Sequence, residues 1–183
     1  MKIFINPGHG GNDPGACGNG LKERDVALNI GRHVVVCLKN VGYDVILSQI
    51  DGLQAICDTS NKWGADLFVS IHCNSFNSCA RGTETFYYQF SGAGKKLANC
   101  IQRQIVSSLG TVDRGLKTKL SSGYDVTVTK YTDCPAVLIE TAFIDNPDDA
   151  ELLVAREVDF AKAIARGITD FTAKYPLPDT VDR

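Results

Sequence analysis

The sequence has no apolar run long enough to cross a bilayer as a helix. Its longest apolar stretches, such as Val34-Val35-Val36 and Leu67-Phe68-Val69, are of strand or helix size. Charge of one sign is not in excess: 19 Lys and Arg stand against 21 Asp and Glu, for a net charge of -2. The broad positive field that would hold nucleic acid or an anionic membrane is therefore missing. Seven cysteines occur, but no Cys-x-x-Cys pair, which argues against a thiolate zinc cage. Their number is odd, and a domain of this size needs no stapling, so most of them, lying inside apolar segments, read as small core hydrophobes. Cys73 and Cys79 are the pair close enough to bridge a loop. There are no internal repeats and no low-complexity segment. The N-terminus lacks a basic region followed by an apolar one and a cleavage site. It opens directly into the core-like run Lys2-Ile3-Phe4-Ile5.

What is present is ordinary in bulk and specific in pattern. With 183 residues, 44% hydrophobic and 22% charged, the chain suits one domain with a sizeable core. We assign that domain to residues 1–175 and read 176–183 as a tail or linker stub. Strand-length apolar runs alternate with helix-length amphipathic runs. Strands are predicted at 2–6, 43–47, 66–72, 83–88, 125–129 and 136–139. Helices are predicted at 23–40, 53–63, 94–109 and 159–174. In the helix over 53–63, Ala55, Ile56 and Thr59 are expected on the buried side. A further helix opens at Asn146, with Pro147 in its first turn and Asp148 and Asp149 near the positive end of its dipole. The alternation predicts a three-layer αβα domain around one mixed, mainly parallel sheet.

Only three histidines occur, His9, His33 and His72. His9 and His72 directly follow the two most apolar strands, and Glu140 follows a third. In an open α/β sheet the carboxyl ends of strands form the ligand edge. Two imidazoles and a carboxylate delivered there fit a catalytic zinc site, which keeps one coordination position open for water. A second, metal-free carboxylate must then move the proton, and Glu140 suits that role. The carboxylate on the metal should lie near His9. Glu23 is the best-placed candidate, with Asp13 and Asp25 as alternatives. The Gly8-His9-Gly10-Gly11 run lacks the lysine and spacing of a phosphate loop. His33 falls inside a helix as a surface or packing residue. Cys73 adjoins His72, but strand neighbours point to opposite faces, so they make a poor nucleophile pair.

The motifs resemble a known family. Asn6-Pro7-Gly8-His9-Gly10-Gly11-Asn12-Asp13-Pro14-Gly15-Ala16, Leu21-Lys22-Glu23, Ala65-Asp66-Leu67-Phe68-Val69-Ser70-Ile71-His72-Cys73-Asn74, Arg114-Gly115-Leu116-Lys117 and Pro135-Ala136-Val137-Leu138-Ile139-Glu140-Thr141-Ala142-Phe143-Ile144-Asp145-Asn146 occur in order. Together they resemble the zinc-dependent N-acetylmuramoyl-L-alanine amidases of the type 3 family. The likeness runs over residues 2 to 172. It implies hydrolysis of the muramoyl–alanine amide of peptidoglycan. It implies one catalytic zinc ion on His9, Glu23 and His72, and Glu140 as the catalytic carboxylate. Asn74 and Arg114 become candidates for contacts to polar groups of the stem peptide.

The resemblance also implies action at the cell wall, by a monomer, with peptidoglycan as the partner and neither nucleic acid nor membrane insertion. The chain would then arrive within a longer protein, through lysis or from a phage. Three positions depart from the family pattern. Asn6 replaces a usual Asp that would orient a ligand, Ile56 replaces a frequent Arg, and Ala142 replaces a usual Gly. A zinc carboxypeptidase, which would carry a cationic clamp for a free carboxylate near the metal, and a non-catalytic wall-binding module are the rival classes.

Overall fold

In the computed structural model, which describes residues 1–123 and 126–176, the first apolar run forms β1 (Lys2–Pro7) inside a six-stranded sheet. A small ribbon follows, β2 (Cys17–Gly18) paired with β3 (Leu21–Lys22). The chain then enters α1 (Glu23–Asn40) and returns as β4 (Asp44–Leu47). Next come α2 (Leu53–Trp63), β5 (Leu67–Asn74), β6 (Thr83–Tyr87), α3 (Gly92–Leu109) and β7 (Asp113–Lys117). Two short helices, α4 (Lys119–Ser122) and α5 (Thr127–Lys130), precede β8 (Ala136–Phe143). The helices α6 (Pro147–Ala155) and α7 (Glu157–Lys174) complete the described fold.

The sheet order is β4-β1-β5-β8-β6-β7. Neighbours are parallel except β6, which runs antiparallel to β8. The expected mixed, mainly parallel three-layer architecture is what forms. One layer is α1, α3 and α7, packed on Ile3, Ile5, Leu67, Val69, Ile71, Val137 and Ile139. The other, smaller layer is α2 and α5, packed on Phe4, Phe68 and Ala136.

Period-two alternation explains both the layers and the site. On the face under α2 and α5, β1 presents Phe4 then Asn6, β5 presents Phe68, Ser70 then His72, and β8 presents Ala136, Leu138 then Glu140. A hydrogen bond from Ser70 Oγ to Asn6 Oδ1, 2.9 Å, ties two of these strands on that face. The face is apolar at one end of the strands and polar at the other. No described helix is long and apolar enough to cross a membrane.

Local signals set most boundaries. Val26, Ala27, Ile30, Val34 and Leu38 bury one side of α1. Asn146 caps α6 by accepting from the amides of Asp148 and Asp149, with Pro147 at its start. Ser91 caps α3 through Gly94 N, so that helix begins at Gly92, two residues before the predicted start.

Two expectations fail and one strand goes unpredicted. Residues 127–130 form a helical turn, not the strand predicted over 125–129, and Asp125 lies outside the described residues. Val128 and Thr129 are buried against neighbouring elements, so packing overrides the β-branched alternation. The edge strand β7 is absent from the predicted strands, because Gly115 at φ 76° interrupts any strand pattern. The buried side of α2 is Ile56, Cys57 and Ser60, while Ala55 is exposed. The expected absence of a disulfide framework does hold: no disulfide links the seven cysteines among the described residues, with Cys73 buried and Cys79 exposed. Residues 177–183, most of the predicted tail, lie outside the described residues.

Candidate active site

β1 and β5 are adjacent and parallel, so their carboxyl ends bring His9 and His72 together, with ring centroids 5.1 Å apart. Glu23, the first residue of α1, reaches between them. Its Oε2 lies 3.0 Å from His9 Nε2 and its Oε1 lies 2.8 Å from His72 Nδ1. Ala16 N donates to Oε2 and Cys73 N donates to Oε1. One ligand atom from each of His9, Glu23 and His72 falls within 4.8 Å of the others. Of the three acids left open by spacing, Glu23 is the one that meets both histidines. Asp25 instead pairs with Arg24. Asp13 stands behind His9, with Oδ2 2.8 Å from Nδ1. A carboxylate on the outer nitrogen of an imidazole fixes its tautomer and ring plane.

The loop is built to permit this approach. His9 has φ 58°, an uncommon conformation for a residue with a Cβ. Gly15 has φ 66°, and a Cβ there would lie 2.5 Å from His9 Cδ2 and 2.6 Å from Glu23 Oε2. Burial raises the Glu23 pKa, but hydrogen bonds from His72 and His9 outweigh it and bring it to about 2. The hydrogen bond to Glu23 is the main cause that lifts His9 to about 9. The pair is thus an ion pair that a cation would replace.

Glu140 lies beside His72 in the β5–β8 register. Its Oε2 is shielded from solvent and accepts no hydrogen bond among the described residues. Burial first, then the charges of Glu23 and Glu84, push its pKa up to about 8. The donor set therefore fits a zinc ion on chemical grounds. Two imidazoles and a carboxylate converge, a carboxylate orients one imidazole from behind, and an unpartnered carboxylate oxygen stands on the neighbouring strand.

Three other expectations resolve here. Among the described residues, Asn6 makes no hydrogen bond to His9, Glu23 or His72. Its Nδ2 donates to the carbonyls of Pro7 and Ser48, and the group behind His9 is Asp13. His33 makes a surface contact to Glu157 at 3.1 Å. Cys73 points away from the cluster into the core under α1. The residue that sequence reasoning missed is Glu84. It is buried and faces Glu140 across β6–β8. Asn74 Nδ2 donates to Glu84 Oε1 at 2.8 Å, and Arg114 Nε donates to Oε2 at 2.9 Å. An acid inside the otherwise apolar and threonine-rich run Thr83-Glu84-Thr85-Phe86 was the available signal.

Residues 3–170 match the N-acetylmuramoyl-L-alanine amidase family. The chain belongs to that family. Among its curated relatives is the amidase LytC of Bacillus subtilis, 41% identical over 94% of this chain and 35% of that protein. The uncharacterised protein YqiI of the same organism is also 41% identical, over 92% of this chain and 84% of that one. The chain thus spans only about a third of LytC. Among solved amidase structures, AmiC2 of Nostoc punctiforme superposes with a TM-score of 0.87 at 31% identity, covering 94% of this chain and 97% of that one. An amidase from Clostridium difficile superposes with a TM-score of 0.88 at 28% identity, over 95% and 97%.

Proposed function

We propose that this amidase-family chain hydrolyses the amide between N-acetylmuramic acid and L-alanine in peptidoglycan. In this reading one zinc ion is held by His9, Glu23 and His72, and Glu140 is the general base and acid. The carrying observation is the convergence of those three side chains within 4.8 Å beside a carboxylate oxygen without a partner. When bound, the ion supplies Lewis acidity toward water and the scissile carbonyl.

The chain's own groups do the proton work. Glu140 Oε2 takes the proton of the attacking water. It then delivers that proton to the alanine nitrogen as the amide bond breaks. Asp13 holds the His9 ring in place from its outer nitrogen. Substrate has room beside the cluster in a groove of about 430 Å³ that includes His9, His72, Leu53, Ile56 and Leu138. Arg114, and Asn74 next to it, stand on the opposite side as contacts for the stem peptide. The setting is the cell wall.

Family membership supports an amidase over a carboxypeptidase or a wall-binding module. Mass analysis of digested peptidoglycan, with and without a chelator, tests the reaction. It should show free muramoyl glycan and peptides beginning in alanine, and neither after chelation. Glu140→Gln should keep zinc and lose at least about a hundredfold in rate, whereas His72→Ala should lose the metal as well. Peptidoglycan solubilised by Glu140→Gln at the parent rate would show the assignment of Glu140 to be wrong.

A further inference from the structure

The two flanks of the proposed catalytic centre differ in charge. On the α2 side the groove is lined by Ile50, Leu53, Ile56, Val128 and Leu138, and its charged groups besides the histidines are Asp13 and Asp51. A carboxylate entering there would meet like charge. On the β6–β7 side Glu84 meets Arg114 and Lys117, while Asp113 at the start of β7 is held by Gln102 and by Gly115 N. Arg114 Nε and Lys117 Nζ lie 2.9 Å and 3.9 Å from the same oxygen, Glu84 Oε2. Two cations thus share one carboxylate, and these three side chains carry one positive charge in excess.

The cluster is ordered in a way that leaves it open to a ligand. Glu84 is 7% exposed, whereas the Arg114 and Lys117 side chains are 35% and 29% exposed. Arg114 stacks on the Phe143 ring at 4.8 Å and uses only Nε toward Glu84. Its terminal nitrogens have no partner among the described residues. A guanidinium held by its Nε and by its face presents the remaining N–H groups in a fixed fork, the geometry that binds a carboxylate.

We infer that Arg114 and Lys117 bind a carboxylate on the peptide half of the substrate, with Glu84 as the positioning residue that sets them. The inference rests on the amidase reading above. In such a substrate the lactyl carboxyl is consumed in the scissile amide, so the muramoyl half is neutral, and the free carboxylates all belong to the peptide. The neutral half then lies over Ile56 and Leu53, and the peptide runs across β8, β6 and β7. From β8 to β7 is two strand spacings, about 10 Å, the span of about two to three extended residues. The carboxylate read is therefore close to the scissile bond.

The test uses the zinc-loaded full chain and two soluble muramoyl-peptides. They are identical except for a free carboxylate or its carboxamide on the second residue. The parent should cleave the carboxylate form with kcat/KM about tenfold higher, expressed in KM. Arg114→Gln and Lys117→Gln, each with parental zinc content and Tm, should bring the two substrates close to parity. If Arg114→Gln fails to fold, Lys117→Gln carries the test, because its one ion pair is long. Equal cleavage by the parent, or a preference that survives in every folded variant, overturns the inference. Cleavage of neither muramoyl amide by the parent overturns the amidase reading and the inference with it.

Discussion

Glu84 and Glu140 stand directly opposite one another across the antiparallel β6–β8 ladder. The two carboxylates do not share the same surroundings. Glu84 accepts from Asn74 and pairs with Arg114, whereas Glu140 Oε2 accepts no hydrogen bond among the described residues. Burial and the negative charges of Glu23 and Glu84 dispose Glu140 to hold a proton.

Removing the charge of Glu84 should therefore be felt at Glu140. The negative charge of Glu84 is one of the causes that raise the Glu140 pKa, after burial and Glu23. In Glu84→Gln the acid limb of the kcat/KM profile should move to lower pH, while KM rises because Arg114 loses its anchor. A pH–rate series for the two proteins reads this directly. An unmoved limb would mean that Glu84 has only a packing role.

Metal-free stability should depend on pH through Glu140. Its pKa is raised from 4.5 to about 8, so between those values the folded chain binds more protons than the unfolded one. Its contribution to stability accordingly falls as pH rises through that window. Glu140→Gln should match the parent near pH 4 and exceed it above pH 8, by on the order of a few kcal/mol. Thermal unfolding of the two apo proteins across this range is the measurement. Parallel Tm curves would contradict it.

Asp13 lies outside the three ligands and should still matter for metal. Asp13→Asn leaves a hydrogen-bonding group near His9 Nδ1 but removes the carboxylate that orients it. Zinc affinity should fall roughly 10- to 100-fold. Competition with a chromophoric chelator would reveal it, and unchanged affinity would remove Asp13 from the site.

Gly15 should tolerate no side chain. A Cβ would press on both His9 and Glu23, at a φ of 66° that L-residues seldom adopt. Gly15→Ala should lose zinc and activity together. Gly20→Ala, also at positive φ but with nothing within 4 Å, should retain both. Zinc content after dialysis separates the two variants.

Much of this protein is legible in its sequence because the signals are local. Continuous apolar runs fix β1, β5 and β8, apolar spacing fixes α1, and Asn146-Pro147 fixes the start of α6. Since parallel strands end at one edge, the strand pattern alone is enough to expect His9, His72 and Glu140 together. Spacing does not choose Glu23 over Asp13 and Asp25. The choice depends on where α1 begins relative to two strands and on which way a short loop turns at Gly15. Glu84 is hidden for a stronger reason. Its partners Asn74, Arg114 and Glu140 meet it only because β6 reverses direction and inserts between β8 and β7, an order that no local pattern records. Strand composition determined which residues reach an edge, and the tertiary order of the strands decided which of them stand face to face.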